Sequence, residues 1–235
     1  MGRKLKGATS GSRPPKRRDW GRAGQLVFLG AAFALAGWLF YAHFFRLDFK
    51  VNKRPFASLG VFAADELAKI VPAGRVQVVY DVPDRAAAKQ PRFAKPIEMQ
   101  AVEAEAFKSR LASVGEYSFL DDVQLPRSAM AMASAWPRDT FPALLNTPDS
   151  TIVLFSSLPR LGQSERNLLE QRPGKLAVVG MSVLEIFPAV EAKLVDLAVA
   201  NRIPIPRSQA PTETPAAWVQ RVFTVLTPAT VHMAR

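Results

Sequence analysis

The sequence predicts an α/β protein in which one N-terminal transmembrane helix precedes a mostly parallel sheet with helices on both faces. Three observations predict this fold. A segment without formal charge runs from Ala23 to Phe45, apolar strand-like runs follow at 75–80, 151–155 and 175–179, and helical patterns separate these runs. Strands that alternate with helices along a chain form parallel sheets through right-handed crossovers.

The segment 23–45 is predicted to cross a membrane. As a helix it would extend about 34 Å, more than the roughly 30 Å hydrocarbon core of a bilayer. Its apolar residues occupy every face, unlike the single stripe of a core helix. Ala34-Leu35-Ala36 also fits a signal-peptide cleavage site. Cleavage there would leave an apolar stub, so we favour an uncleaved signal-anchor.

The basic residues predict the orientation of this helix. Residues 1–22 contain eight basic side chains and one acid, a balance of +7 within a total of +11. Cationic flanks stay on the cytoplasmic side, so we predict a single-pass protein of the cytoplasmic (inner) membrane with a cytoplasmic N-terminus and a periplasmic domain. The lipid bilayer is its expected partner. The remaining excess of +4 argues against a nucleic-acid partner.

Four regions are therefore expected along the chain. Residues 1–22 form a disordered basic tail, 23–45 the transmembrane helix, 46–74 a juxtamembrane linker with a short helix, and 75–235 the extracytoplasmic α/β domain. Cysteine is absent, which excludes disulfides and cysteine metal sites.

A short helix is expected at 62–70, ended by Pro72 and Gly74, before the domain begins. The elements expected after it are a strand at Arg75–Tyr80, a helix at Ala101–Val114 and a possible strand at Tyr117–Leu120. The stretches 82–100 and 121–150 contain seven prolines and are predicted to be long loops or an irregular subdomain.

In the second half of the domain, strands and helices alternate more regularly. Strands are expected at Thr151–Phe155 and Lys175–Val179, with a helix at Ser164–Gln171 between them. A longer helix at Val183–Ala200, a possible strand at Ile203–Ile205 and a helix that begins at Thr214-Pro215, with Val219, Phe223 and Leu226 on one face, follow. This pattern is typical of a Rossmann-like or flavodoxin-like fold.

Ligands of open parallel sheets usually bind beyond the carboxyl ends of the strands. The polar and glycine residues at these positions are the candidate ligand-binding residues: Asp81, Asp84, Ser156, Ser157, Gly180 and Ser182. Each has a structural alternative. Asp81 can form an Asx-turn, Ser156 and Ser157 can satisfy turn amides, and Ser182 can cap the helix after it.

The usual signatures of catalysis and cofactor binding are missing. There is no G-x-G-x-x-G, Walker A, G-x-S-x-G or H-E-x-x-H pattern, and the two histidines, His43 and His232, lie in the anchor and beside the C-terminus. We therefore predict no catalytic residue, no metal site and no cofactor, and a non-catalytic role is favoured over an enzyme.

One layout resembles a known family. Arg46-Leu47-Asp48-Phe49 follows the apolar segment, and Phe56-Ala57-Ser58-Leu59, a helix ending near Ile70 and the strand at 76–80 come next. This order resembles the extracytoplasmic module of the auxiliary proteins of gliding-type ABC transporters. Lys50 and Gly60 depart from that family's motifs. The resemblance implies a non-catalytic subunit that rests on a membrane complex.

The sequence therefore favours a membrane-anchored α/β interaction module that serves as an accessory subunit of a membrane complex, such as one for transport, with a membrane protein as partner. A small-ligand-binding domain that uses the strand ends is the first alternative. A membrane-tethered hydrolase or transferase with dispersed Asp and Ser residues is the second. The sequence does not predict the oligomeric state.

Overall fold

A computed structural model describes residues 20–45, 51–128, 136–202 and 213–234. The chain divides into two compact units, residues 1–48 and 49–235. The first contains helix α1, Trp20–Phe45. Eight large apolar side chains of α1 are exposed: Leu26, Val27, Phe28, Leu29, Phe33, Leu35, Trp38 and Leu39.

No helix among the described residues is both long enough and apolar enough to cross a membrane. The predicted transmembrane helix at 23–45 therefore has no support from the structure.

The second unit contains the α/β fold. In chain order its elements are α2 Arg54–Ile70, β1 Gly74–Pro83, α3 Pro91–Val114, β2 Tyr117–Phe119, β3 Val123–Arg127, α4 Thr140–Leu145, β4 Ser150–Leu154, α5 Gln163–Gln171, β5 Leu176–Ser182, α6 Val183–Glu191, β6 Leu197–Asn201, α7 Pro215–Val222 and β7 Phe223–Leu226. Short 3-10 turns lie at Ala87–Lys89 and Val231–Ala234.

The predicted mostly parallel sheet is confirmed. Its strand order is β2-β1-β4-β5-β6-β7, with β3 paired to β1 as well. Among the described strands the β6–β7 pair is antiparallel and the other pairs are parallel. Strands β2 and β3 together flank β1 on one side. Val76 pairs with Phe119 but Val79 pairs with Val123, so one extra residue separates β2 from β3. The Gln77 side chain donates to the carbonyl of Asp121 at this bulge.

The sheet separates two apolar clusters, as expected for a sheet covered on both faces. On one face, α2, α3 and α7 bury residues such as Leu67, Phe107 and Trp218 against Val78. The cluster on the other face is built by α4, α6 and the sheet: it includes Phe141, Leu144, Ile186, Val190, Leu154 and Val79. Successive side chains of a strand point to opposite faces, which is why neighbours in β1 enter different clusters.

The predicted helix at Val183–Ala200 is wrong beyond its first half. Helix α6 ends at Glu191, and β6 occupies Leu197–Asn201 in the buried part of the sheet. The turn between them has Lys193 at φ 58°, and Asp196 Oδ2 accepts a hydrogen bond from the Leu176 amide at 2.9 Å. These contacts align β6 with β5.

The predicted loops at 82–100 and 121–150 are also wrong in part. Helix α3 begins at Pro91, where a proline loses no helical hydrogen bond, and it tolerates Pro96 in its second turn. The second stretch contains β3 and α4.

The C-terminal helix begins as predicted. Thr214 Oγ1 accepts from the Ala217 amide at 3.2 Å and caps α7. The helix ends at Val222, so Phe223 and Leu226 lie in β7 and not on a helical face. The expected strand at Ile203–Ile205 lies outside the described residues.

Candidate functional site

The strand order places a topological switch point between β1 and β4. From β1 the chain passes to β2 and β3 on one side and then returns to β4 on the other. The carboxyl ends of two such strands form the usual ligand crevice of an open parallel sheet. Val79 pairs with Leu154, and the Phe155 amide donates to the Val79 carbonyl at 2.8 Å. Asp81 and Ser156 each lie two residues beyond this pair.

Asp81 is the centre of a buried polar cluster at the end of β1. Its side chain is 0% exposed. Its Oδ2 lies 3.1 Å from Arg127 Nη1 on β3 and 3.4 Å from Gln100 Nε2 on α3. Gln100 Oε1 also accepts from the Asp81 amide at 2.6 Å. A carboxylate removed from water needs such charged and amide donors, so three separate elements hold this cluster in place.

Ser156 lies two residues after β4, the strand that pairs with β1. It is 2% exposed, and its Oγ has no hydrogen-bond partner in the part of the chain that the structure describes. Leaving a buried hydroxyl unpaired costs about 1–3 kcal/mol. Most buried polar side-chain atoms in native structures have a hydrogen-bond partner, so an unpaired one calls for an explanation. Ser157 is different, because its carbonyl accepts from Trp136 Nε1 at 2.9 Å.

Asp84 has a structural task. Its Oδ1 accepts from the amides of Ala86 at 3.0 Å and Ala87 at 2.7 Å, so its side chain stabilises the chain reversal that leads into the 3-10 turn after β1. This is the Asx-type geometry that was expected of Asp81.

Gly180 and Ser182 lie at the end of β5, where the sheet is irregular. The register with β6 shifts between Val179 and Ser182, and Gly180 has a φ of 89°, which favours glycine. Asn201 Nδ2 donates to the Gly180 carbonyl at 2.9 Å. Ser182 occupies the N-cap position of α6, but its side chain makes no capping hydrogen bond.

A groove lies beside the end of β4. Its volume is about 290 Å³, and Trp136 and Phe141 meet edge to face in it with ring centroids 5.2 Å apart. The other lining residues are Pro137, Arg138, Asp139, Pro142, Pro159, Arg160 and Glu165. The hydrogen bond from Trp136 to Ser157 joins this groove to the strand end.

The sequence therefore located the strand ends but missed three polar residues there. Gln100 and Arg127 lie in stretches that were predicted to be loops, and Asn201 lies just after a stretch that was predicted to be helical. A polar residue after the apolar run 197–200 was the signal for Asn201. Among the described residues, no group of histidine, aspartate and glutamate could hold a metal ion.

No known protein-family profile matches the chain, and no curated protein matches it. Three solved structures resemble it in fold. The first is a sugar-binding protein of a sugar ABC transporter from Bacillus halodurans, with 14% identity and a TM-score of 0.47 over 77% of this chain and 64% of that one. The second is the arabinose-binding protein AraP from Geobacillus stearothermophilus, with 17% identity and a TM-score of 0.45 over 76% of this chain and 62% of that one. The third is an ABC transporter solute-binding protein from Bacillus halodurans with bound myo-inositol, with 11% identity and a TM-score of 0.45 over 76% of this chain and 60% of that one.

The chain spans about three fifths of the length of these structures. At such identities and TM-scores, the likeness does not indicate what this chain binds.

The resemblance to auxiliary proteins of gliding-type ABC transporters was wrong. The solved structures that resemble the chain are sugar-binding and solute-binding proteins of ABC transporters. The segment Phe56–Leu59 lies inside α2 and does not precede a helix, as the family's second motif does. Residues 46–49 lie outside the described part of the chain.

Proposed function

We propose that the α/β unit binds a small polar ligand at the carboxyl ends of its parallel strands. The observation that carries this proposal is the buried Asp81–Gln100–Arg127 cluster at the switch point between β1 and β4. Binding sites combine a shaped cavity with a few fixed polar groups, and this cluster supplies such groups at the edge where ligands of parallel sheets bind.

The charges of the cluster favour a ligand without a large net charge. Arg127 and Asp81 neutralise each other, and the Arg127 side chain is 26% exposed, so part of it faces solvent. The exposed part of Arg127 is the part of the cluster that a ligand's hydroxyl or carbonyl oxygen would contact. Asp81 does not contact the ligand in this proposal, and its ion pair holds the Arg127 guanidinium in position.

Removing both charges of the pair is expected to abolish ligand binding while the fold is kept. A single Arg127 variant would leave Asp81 buried without its cation, which costs about 3–5 kcal/mol and confuses loss of binding with unfolding. The double variant D81N/R127M avoids this cost. We expect the full chain to give a thermal shift with one or more members of a panel of sugars, polyols, amino acids and nucleosides. D81N/R127M should lose that shift.

The matched control is Arg166→Met, which removes an exposed guanidinium from α5. Its thermal shift should equal that of the unaltered chain. A thermal shift that persists in D81N/R127M would show that the ligand binds elsewhere, and the proposal would fail.

No observation in the described residues favours an accessory subunit over a ligand-binding domain. The predicted role in a membrane complex stays a prediction.

We also propose that α1 attaches the chain to a membrane. Its large apolar side chains are 54–76% exposed, and contact with lipid would remove them from water. The basic residues before it would favour anionic headgroups. The unaltered chain should pellet with membranes, and the variant L29K/F33K should move to the soluble fraction. Extraction by alkaline carbonate distinguishes peripheral attachment from insertion, and a soluble unaltered chain would contradict the proposal.

A further inference from the structure

The groove beside the end of β4 has apolar walls. It lies between the turn that precedes α4 and the segment 159–165 that joins β4 to α5. The Trp136 and Phe141 rings line it together with three prolines, and a proline fixes its own φ: Pro137, Pro142 and Pro159. Its volume of about 290 Å³ is near the lower end of the roughly 300–1,000 Å³ of known ligand pockets, so it suits a small ligand.

Two arginines at this groove have no acidic partner. Arg138 and Arg160 line the groove and are exposed, and neither forms an ion pair or a hydrogen bond with any described residue. An exposed arginine without a partner is ordinary on a protein surface. Two of them at one apolar groove provide guanidinium groups beside a surface on which a ring can pack.

The two acids at the groove offset these charges only in part. Glu165 Oε2 accepts from the Ser164 hydroxyl at 3.0 Å. A hydrogen bond from its own backbone amide and this hydroxyl lower the pKa of Glu165, and the N-terminus of α5 compensates its charge. Asp139, the other acid, makes no capping hydrogen bond to α4. Two unpaired guanidinium groups therefore stand against one unpaired carboxylate among the described residues of the groove.

We infer that this groove is a second binding site and that it binds aromatic carboxylates. The ring of such a ligand packs on Trp136 and Phe141 in the edge-to-face or offset arrangement that aromatic pairs prefer. Its carboxylate pairs with Arg138 or Arg160, because a planar guanidinium matches the geometry of a carboxylate. None of the groove-lining residues belongs to the cluster around Asp81, so the two sites can be tested separately.

Four probes of similar size test the ligand chemistry in calorimetric titrations of the full chain. Phenylacetate is the expected ligand, phenylethylamine replaces its carboxylate by a cation, 2-phenylethanol is neutral, and cyclohexylacetate keeps the carboxylate without an aromatic ring. We expect phenylacetate to bind most tightly, and about twofold to tenfold more tightly than cyclohexylacetate, which is the contribution of an aromatic pair. Phenylethylamine should bind most weakly, because like charges at the groove repel it.

Charge variants test where phenylacetate binds. Arg138→Met and Arg160→Met should each weaken its binding about twofold to fivefold, since exposed ion pairs are weak, and the double variant should lose the preference for phenylacetate over 2-phenylethanol. Asp139→Asn removes the unpaired carboxylate and should tighten the binding of phenylacetate but not of 2-phenylethanol. Arg166→Met is the matched control, because Arg166 is an exposed arginine of α5 that does not line the groove. Its affinity for each probe should equal that of the unaltered chain.

The variant D81N/R127M separates this site from the one under the proposed function, and it should bind phenylacetate as tightly as the unaltered chain. Loss of phenylacetate binding in that variant would overturn the inference, and so would full binding in the double variant of Arg138 and Arg160. Failure of phenylacetate to bind, or equal binding of any other probe, would overturn it too. The thermal-shift panel with D81N/R127M tests the proposed function by itself, whichever result these titrations give.

Discussion

Replacing Gly60 with alanine is expected to lower the free energy of unfolding of the α/β unit by about 2–3 kcal/mol. Gly60 is buried in α2 where this helix packs on α3. A Cβ there would overlap the carbonyl oxygen of Glu103 and lie 3.0 Å from the amide nitrogen of Phe107. Both are backbone atoms of a helix, so α2 and α3 must separate. That separation would loosen the apolar cluster that contains Leu67 and Phe107.

Urea unfolding followed by tryptophan fluorescence measures this loss, because Trp136 and Trp218 both lie in the α/β unit. Gly30→Ala is the control, since Gly30 is also helical but a Cβ added there would meet no atom within 4 Å. Alanine is favoured over glycine in a helix by up to about 1 kcal/mol, so Gly30→Ala should not destabilise the chain. An unchanged urea midpoint for Gly60→Ala would show that α2 and α3 can separate at little cost.

The strands that the sequence predicted well are those buried on both faces. Residues 151–155 and 175–179 form short continuous apolar runs, and Pro173-Gly174 marks the turn before the second run. Such a local pattern is sufficient to predict a parallel strand, because helices cover both of its faces and all its side chains are apolar. Strand β4 begins and ends one residue earlier than predicted, whereas β5 begins one residue later and extends three residues further, to Ser182.

The elements that the sequence missed depend on distant contacts. The spacing of Val190, Leu194 and Leu197 fits one continuous helix. It fits a helix followed by a buried strand equally well, so the pattern does not distinguish the two. The hydrogen bond from the Leu176 amide to Asp196, 20 residues away, is one contact that decides between them. Pro91 and Pro96 indicated a loop because proline ends most helices, yet Pro91 stands where a proline is tolerated.

The same limit applies to the candidate site. Strand ends are predictable, so Asp81, Ser156 and Gly180 were placed at the correct edge of the sheet. Their partners were not predictable, since Arg127 lies 46 residues from Asp81 and reaches it only because β3 pairs with β1. Topology, and not any local motif, assembles this cluster.

Glu103 is a buried acid that no ion pair compensates in the described part of the chain. It lies on α3 opposite Gly60 and is 7% exposed, and burial raises its pKa to about 8. The two basic residues that follow it on α3 form ion pairs with other acids. Lys108 lies 2.6 Å from Asp122, and Arg110 lies 2.7 Å from Asp65. Glu103 is therefore protonated in the folded protein at neutral pH.

This raised pKa makes the stability of the α/β unit fall as the pH rises. Below pH 4.5 both states hold the proton, and Glu103 costs nothing extra. Between pH 4.5 and about 8 the unfolded chain releases the proton and the folded protein keeps it. Each unit of pH rise in this range therefore lowers the free energy of unfolding. The loss sums to on the order of 4–5 kcal/mol and levels off above the folded-state pKa.

Replacing Glu103 with glutamine is expected to remove this slope. Glutamine has nearly the same shape but no proton to lose, so the free energy of unfolding of E103Q should vary less between pH 5 and pH 8 and exceed that of the unaltered chain at pH 8. Urea titrations across this pH range measure both effects. Glu105→Gln changes an exposed acid on the same helix and should keep the original slope. If E103Q kept the slope too, the pH dependence would arise from another group of the chain.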